Sequence, residues 1–414
     1  MQQIKNSGIE WVGDIPENWN ALKLKYVVKT RDEKALFAPN YDTYIGMENI
    51  KGYSNELIET DTEYEKSIQS VYKHGDILFG KLRPYLSKVC IMENSGFCSG
   101  EFLVVSDYNG CKSFLRYSLL NPKFIQNINA STYGAKMPRA NSEYILNQKI
   151  AVPPIEEQER IAEFLDKKCG EIDGLIADIK IQVQTLEQYK RSVITEAVTK
   201  GLNPSAEMKD SEIEWVGDIP ANWDIHPLYY FFDERKNKNS FGKENNLLSL
   251  SYGKIIRKDI NSNGGLLPEN FNGYNIVEPN DIVLRLTDLQ NDKRSLRTGF
   301  VKERGIITSA YVALKAKVNI LPEFFYYELH VYDLLKVLYN LGNGVRQGLN
   351  YSELSKLKLF APDLSEQQEI VNYIREKESQ VDELISTKQS QIEALESYKK
   401  SLIYEYVTGK KEVV

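Results

Sequence analysis

EWVGDIPENW at residues 10–19 recurs as EWVGDIPANW at residues 214–223, and only Glu17 and Ala221 differ. All four tryptophans of the chain (Trp11, Trp19, Trp215 and Trp223) lie inside this phrase. Working outward, the match continues. HGDIL (74–78) is answered by NDIVL (280–284), and SGEFLVV (99–105) more loosely by TSAYVAL (308–314). PPIEEQERIAEFL (153–165) is answered by PDLSEQQEIVNYI (362–374). From there an offset of 209 pairs Asp173 with Asp382, Leu186 with Leu395, Glu187 with Glu396, Tyr189 with Tyr398, Lys190 with Lys399 and Thr199 with Thr408. The offset is 204 at the tryptophan phrase, so insertions separate the centres of the two copies. Self-similarity at a long period governs the whole reading, and here it gives an order A–B–A′–B′.

The B segments have the pattern of long helices. Each begins with a proline followed by acidic residues, Pro154 with Glu156 and Glu157, then Pro362 with Asp363 and Glu366. Negative side chains suit the unpaired N–H groups at a helix start. Leu165, Ile172, Ile179, Leu186 and Val193 recur every seven residues, with Ile176 and Val183 beside them. Ile374, Val381, Leu395 and Leu402 repeat the stripe, with Val371, Ile385 and Ile392 alongside and with Lys388 and Lys399 interrupting it. A strict seven-residue stripe is a coiled-coil seam. Each helix would be ~66 Å long at ~1.5 Å per residue. Neither stripe can be buried alone, so the two helices are expected to pack on each other.

The A segments are mixed and β-rich. LKLKYVV (22–28), DILF (76–79), EFLVV (101–105), DIVLRL (281–286) and YVALKA (311–316) are short apolar or alternating runs bounded by Gly, Asn and Pro. KSFLRYSLLN (112–121) and PEFFYYELHVYDLLKVLYN (322–340) suggest shorter helices. The expected organisation is a first domain at 1–152, a helix at 153–200, a polar linker at 201–212, a second domain at 213–360, a helix at 361–409 and a tail at 410–414. The fold class is α+β: two β-rich mixed domains alternate with two long helices that pack on each other. The repeat implies a pseudo-twofold relation within one chain. The tryptophan phrase is expected to be a structural mount for each domain.

Composition narrows the function classes. The net charge of −6 is concentrated in residues 151–210 and 361–414, at −4 each, while residues 1–150 and 211–360 carry +1 each. No apolar run approaches the ~18 residues of a membrane span. The N-terminus has no apolar signal core, so a cytoplasmic location is expected. Cys90, Cys98, Cys111 and Cys169 form no CxxC pair and lie far from His74, His226 and His330, which argues against zinc and disulfides. GDILFGKL (75–82) matches a phosphate-loop spacing, but Leu82 replaces the required Ser/Thr and DILF has the pattern of a strand. NPKF (121–124) lacks the second proline of a methyltransferase catalytic loop, and GNGVRQ (342–347) lacks the third glycine of a dinucleotide loop. The chain is expected to perform no chemistry and to bind no cofactor or metal.

Three groups of loop residues could read DNA. FGKLRPYLSK (79–88) offers Lys81, Arg83, Tyr85 and Lys88 directly after a strand. The matching place in the second half offers Arg285, Thr287, Gln290, Asn291, Lys293, Arg294 and Arg297. A further pair of loops brings Lys136, Arg139 and Asn141, then Arg346, Gln347 and Asn350. Arginine can grip guanine edges, Asn and Gln adenine edges, and Lys and Arg the phosphates. Solvated surface loops are the bland alternative. AKMPRANS and GVRQGLNY share little beyond a basic residue, so their equivalence is open.

Taken together, IEWVGDIPENW, IEWVGDIPANW, GDILFGKLRPYLSKV (75–89), DIVLRLTDLQNDKRSLRTG (281–299) and the starts PIEEQERIAEFL and PDLSEQQEIVNYI resemble the specificity subunits of type I restriction–modification systems. The resemblance covers essentially the whole chain. It implies that the two long helices pair as an antiparallel coiled coil, that the two β-rich domains are target-recognition domains, each reading one half of a split double-stranded DNA site, and that the helices set the gap. It also implies partners, namely two modification (methyltransferase) subunits carrying S-adenosylmethionine and a restriction (translocase/nuclease) subunit using ATP and Mg²⁺. The helices' acidic outer faces would be docking surfaces for the modification subunits.

Overall fold

The computed structural model describes residues 3–37, 43–62, 64–260, 268, 270–289, 295–340 and 348–413. The chain divides into two compact units, residues 1–181 with 388–414, and residues 182–387. This division cuts across the long helices, Ile155–Lys200 and Leu364–Val407, so each helix contributes one stretch to each unit. The fold is α+β, with β-rich domains alternating with the long helices. No described helix is long and apolar enough to cross a membrane.

In the first unit an antiparallel sheet runs in the order Val28–Thr30, Phe102–Tyr108, Ile77–Gly80, Val89–Ile91. The run DILF is therefore strand and not a phosphate loop. Side chains alternate across a strand. Ile77, Phe79, Leu103 and Val105 pack with Leu115, Leu119 and Phe124 of the helices Lys112–Leu120 and Pro122–Ala130. Leu78, Phe102 and Val104 pack on the other face with Tyr72 and Cys98. Those two belong to a second sheet, ordered Lys34–Phe37, Ser67–Tyr72, Gly96–Cys98, Tyr44–Ile45. Coverage of both faces explains why this strand has an apolar run and no polar alternation.

The second unit repeats the central sheet as Phe232–Glu234, Val312–Ala316, Ile282–Leu284, Thr298–Phe300. Ile282, Leu284 and Leu314 meet Phe324, Phe325 and Leu329 of the helix Pro322–Leu334, while Val283 and Ala313 meet Leu248, Val277 and Ile307. Its second layer differs from that of the first unit. Two separate ladders, Leu248–Ser251 with Lys254–Arg257 and Asn275–Val277 with Gly305–Ile307, replace the four-stranded sheet.

The tryptophan phrase folds identically twice. A hairpin pairs Ile4–Asn6 with Asp14–Pro16, and another pairs Met208–Asp210 with Asp218–Pro220. Trp19 and Trp223 are fully buried. Trp19 packs with Ile161, Leu165, Ile403 and Val407 of the long helices. Trp223 packs with Ile194, Val198, Ile370 and Ile374. The helix-ending Gly201 and Gly409 sit against the same phrases at φ of +71° and +69°. A Cβ on Gly409 would lie 2.4 Å from Pro16 Cδ. The phrase is thus a mount that fixes a β-rich domain on the helices within each unit.

Gln158 and Gln367, 209 residues apart, tie the helix starts to the domains. Gln158 accepts from the Tyr108 hydroxyl at 3.0 Å and the Cys111 N–H at 3.1 Å, and donates to the Pro153 carbonyl at 2.9 Å. Gln367 accepts from the Leu321 N–H and donates to the Pro362 carbonyl, both at 2.8 Å.

Helix pairing is antiparallel within each unit. In the first, Phe164 stacks near Tyr406 at 4.4 Å and Asp173 meets Lys399 at 2.6 Å, so the partner number falls as the residue number rises. In the second, Lys190 meets Asp382 at 2.9 Å while Ile194 and Val198 cluster with Ile374 and Ile370. The two ion pairs are one pair with the helices exchanged, since Asp173 matches Asp382 and Lys190 matches Lys399. Of the expected seam, Leu165, Ile172, Val193, Ile374, Val381 and Leu402 are buried. Ile179, Leu186 and Leu395 are half-buried, as expected of a two-helix stripe without a domain over it. Lys399 interrupts the stripe yet is only 5% exposed, its ammonium held by both Asp173 oxygens.

Candidate nucleic-acid interface

In each unit the loop leaving the central sheet strand meets the loop before a short helix. In the first unit the Ala140 N–H donates to the Lys81 carbonyl at 3.0 Å, and the Arg83 N–H to the Pro138 carbonyl at 2.7 Å. Isolated bridges join Leu82 and Tyr133 to Arg139. In the second unit the Leu349 N–H donates to the Leu286 carbonyl at 2.9 Å. The next residues, Asn141 and Asn350, cap the short helices Ser142–Asn147 and Tyr351–Leu354. Asn141 accepts from the Glu143 N–H at 2.7 Å and Asn350 from the Glu353 N–H at 3.1 Å. These loops are therefore equivalent despite their dissimilar sequences. An N-cap oxygen satisfies an otherwise orphaned helix donor. That gives both exposed asparagines a structural task besides the expected adenine contact.

The first unit's junction presents Tyr85 and Lys136 to solvent, with Tyr133 and Met137 near 60% exposed beside them. Arg139 is exposed and ion-paired with Glu101, which aims its guanidinium without burying it. Arg83 is half-buried at a left-handed φ of +48°, its guanidinium donating to the Lys136 carbonyl at 3.5 Å. Lys81 is half-buried, and burial pulls its ammonium below the usual value against the opposing charge of Glu101. Lys88 turns inward to the Met47 carbonyl, and burial likewise lowers its ammonium. Lys88 thus fastens the loop from behind, which departs from the expectation of a DNA contact.

In the second unit Thr287 is exposed and Arg285 half-buried. Arg297 corrects the sequence reading. It is 0% exposed and donates to the carbonyls of Thr287 at 2.6 Å, Asp288 at 3.0 Å and Arg285 at 3.3 Å, and to the Tyr339 hydroxyl at 2.9 Å. A guanidinium so enclosed has no surface to offer a base. Gln290, Asn291, Lys293, Arg294, Arg346 and Gln347 lie outside the described residues.

Sequence reasoning missed an anchor at the entering end of each central strand, opposite the loop. Arg31 pairs with Asp76 at 2.8 Å, and Arg235 donates to Asp281 at 2.9 Å. Asp76 and Asp281 each precede the central strand and are nearly fully buried. Burial raises the Asp281 carboxyl, and the hydrogen bond from Arg235 opposes it. The signal was present, because both aspartates stand at matched places in HGDIL and NDIVL.

The family model of the type I restriction modification DNA specificity domain matches residues 16–185. A Methanocaldococcus jannaschii protein assigned as the type I restriction enzyme MjaX specificity subunit is 26% identical over 399 residues, covering 90% of this chain and 89% of that protein. The MjaVIII specificity subunit of the same organism is 31% identical over 185 residues, covering 42% of this chain and 40% of that protein. A chain from a solved structure concerned with complex assembly and conformational transition of the type I restriction–modification system superposes with a TM-score of 0.69. It has 16% identity, and the alignment covers 96% of this chain and 99% of the other, a likeness of fold.

Proposed function

From the premise that the chain belongs to the type I restriction–modification DNA specificity family, we propose that it is a non-catalytic DNA-recognition subunit whose two units each read one half of a split target. The observation that carries this is the twice-built junction of two loops at the end of a doubly covered strand. A sheet anchored at its entering end by an Arg–Asp pair carries each junction, while the loop sequences differ between the copies. Constant mount with variable tip is what two readers of different sequence require. Exposed Lys136 and Arg139 suit phosphates and guanine edges, and Tyr85 offers a flat apolar ring.

Chemistry is assigned to partners. Two modification subunits would supply S-adenosylmethionine and transfer a methyl group to adenine N6, and a restriction subunit would use ATP and Mg²⁺. The long helices, with their acidic exposed faces, are the proposed docking surface and the proposed ruler for the gap. Sequencing of N6-methyladenine in cells expressing the chain with its cognate modification subunit tests the reading. Methylation at one split motif, only when this chain is present, is the expected result. Unchanged methylation with both proteins soluble and co-purifying overturns it.

A further inference from the structure

The hairpin Leu248–Arg257 of the second unit ends in a two-residue turn, Tyr252–Gly253, between the paired Ser251 and Lys254. Both turn residues have positive φ, +47° and +77°. Such turns favour Asn or Gly at the first position, because a side chain there strains the left-handed backbone. Here a tyrosine occupies it, and the residue is 80% exposed. Its fold gains little from the ring, since so much of it lies in water.

The hairpin is seated firmly. Leu250 and Ile255 press onto Gly299, where a Cβ would lie 2.6 and 2.8 Å from their methyl groups. Gly253 lies against Leu296, the residue before the buried Arg297. Gly299 and Leu296 belong to the chain that closes the reading loop, so the turn is carried to that loop's margin. Lys254, Arg257 and Lys258 are exposed along the same hairpin, Arg257 paired with Glu303. In the first unit the loop itself contains Tyr85, whereas residues 285–297 contain no aromatic residue. The first unit has no such hairpin among its described strands.

We propose that Tyr252 is a DNA-contacting residue of the second unit, its ring packing against sugars and base-edge groups such as thymine methyls of the duplex half-site read there. This rests on the proposed recognition function and supplies from a neighbouring hairpin the aromatic surface that the loop lacks. Paired bases are stacked on one another, so an aromatic ring meets a duplex at its sugars and base edges, where apolar contact area adds affinity.

The test uses the full chain in complex with its modification subunit, with a duplex carrying the motif found by methylome sequencing. Affinity is read by fluorescence anisotropy and stability by thermal melting. Y252A should weaken target binding roughly tenfold. Y252G should weaken it equally while raising the melting temperature by roughly 2–4 °C, because it relieves the backbone strain. A purely structural tyrosine would move both readouts the same way. Native-like binding by both variants, where the wild-type complex binds its motif, overturns this inference alone. A wild-type complex with no motif overturns the recognition function beneath it.

Discussion

The guanidinium of Arg297 holds three backbone carbonyls at once, and its own N–H is tied to Asp333. Burial raises the Asp333 carboxyl, with Arg297 among the charges that oppose it. Arg297→Ala would strip those carbonyls and the Tyr339 hydroxyl of their donor and leave a gap where the guanidinium sat. Leaving several buried acceptors without a donor costs about 3–5 kcal/mol. Chemical denaturation should show a loss in that range. Glu328 makes a second case. It is fully buried, accepts from the Phe360 N–H at 2.9 Å, and burial pushes its carboxyl well above the ordinary value. The folded state therefore keeps a proton that the unfolded state releases above about pH 4.5. Its contribution is fully present below that pH and is lost as pH rises through the raised folded value. Glu328→Gln keeps the acceptor and removes the titration. The variant should be more stable than the native chain at pH 7, with the gap closing as pH falls towards 4.5, measurable by denaturation at several pH values. Neither role was legible in the sequence. Residue type and spacing make Arg297 one cation among several in RLTDLQNDKRSLR, and only burial separates it from the rest. The capping role of Asn141 and Asn350 was hidden for the same reason: an amide beside a basic residue looks the same whether it faces a base or a helix end.

At the scale of elements, the long helices were legible because a seven-residue stripe has few other uses, and their ends were marked by proline and acid. The interruption by Lys399 was visible, but its remedy was not, since Asp173 lies 226 positions away. Lys399 is buried and Asp173 is partly exposed, so the two ends of the pair are unequal. Asp173→Ala leaves the buried Lys399 ammonium without its anion. Lys399→Met removes the charge and fills the seam with a flexible apolar chain. Buried pairs respond to these two changes very differently. Asp173→Ala should destabilise by about 2–3 kcal/mol, whereas Lys399→Met should be neutral or stabilising. The equivalent pair of Lys190 with Asp382 is more exposed, at 22% and 53% of side-chain surface, and should show a smaller contrast. Equal effects of Asp173→Ala and Lys399→Met in thermal melting would contradict the account of Lys399 as a buried charge dependent on one partner.

Over the whole molecule, the repeat separates what is constant from what varies, and the structure shows where the seam between them runs. Asn20–Lys23 pairs with Lys149–Val152, and Asp224–Pro227 pairs with Lys358–Ala361. Directly beyond each ladder the Leu24 N–H donates to the Gln148 carbonyl at 2.9 Å, and the Leu228 N–H to the Leu357 carbonyl at 2.8 Å. Residues 24–148 and 228–357 thus leave and re-enter the mount at adjacent points, the geometry that tolerates exchange of an inserted module. By sequence, residues 1–152 fall in one domain, with a structural phrase ending at Trp19 and a helix pattern beginning at 153, and no line is drawn inside that domain. Side-chain patterns could not show that four residues on each side form a ladder belonging to the mount. Replacing residues 24–148 by the corresponding segment of another family member should keep the ladder intact. Methylome sequencing should then report a motif changed in one half, with the other half and the gap retained. An exchange of 20–150 cuts the ladder between Ile150 and Ala151 and should yield less soluble protein with the same change of motif. A motif altered in both halves by the 24–148 exchange would mean that the two units do not read independently, and the repeated mount would then need a different explanation.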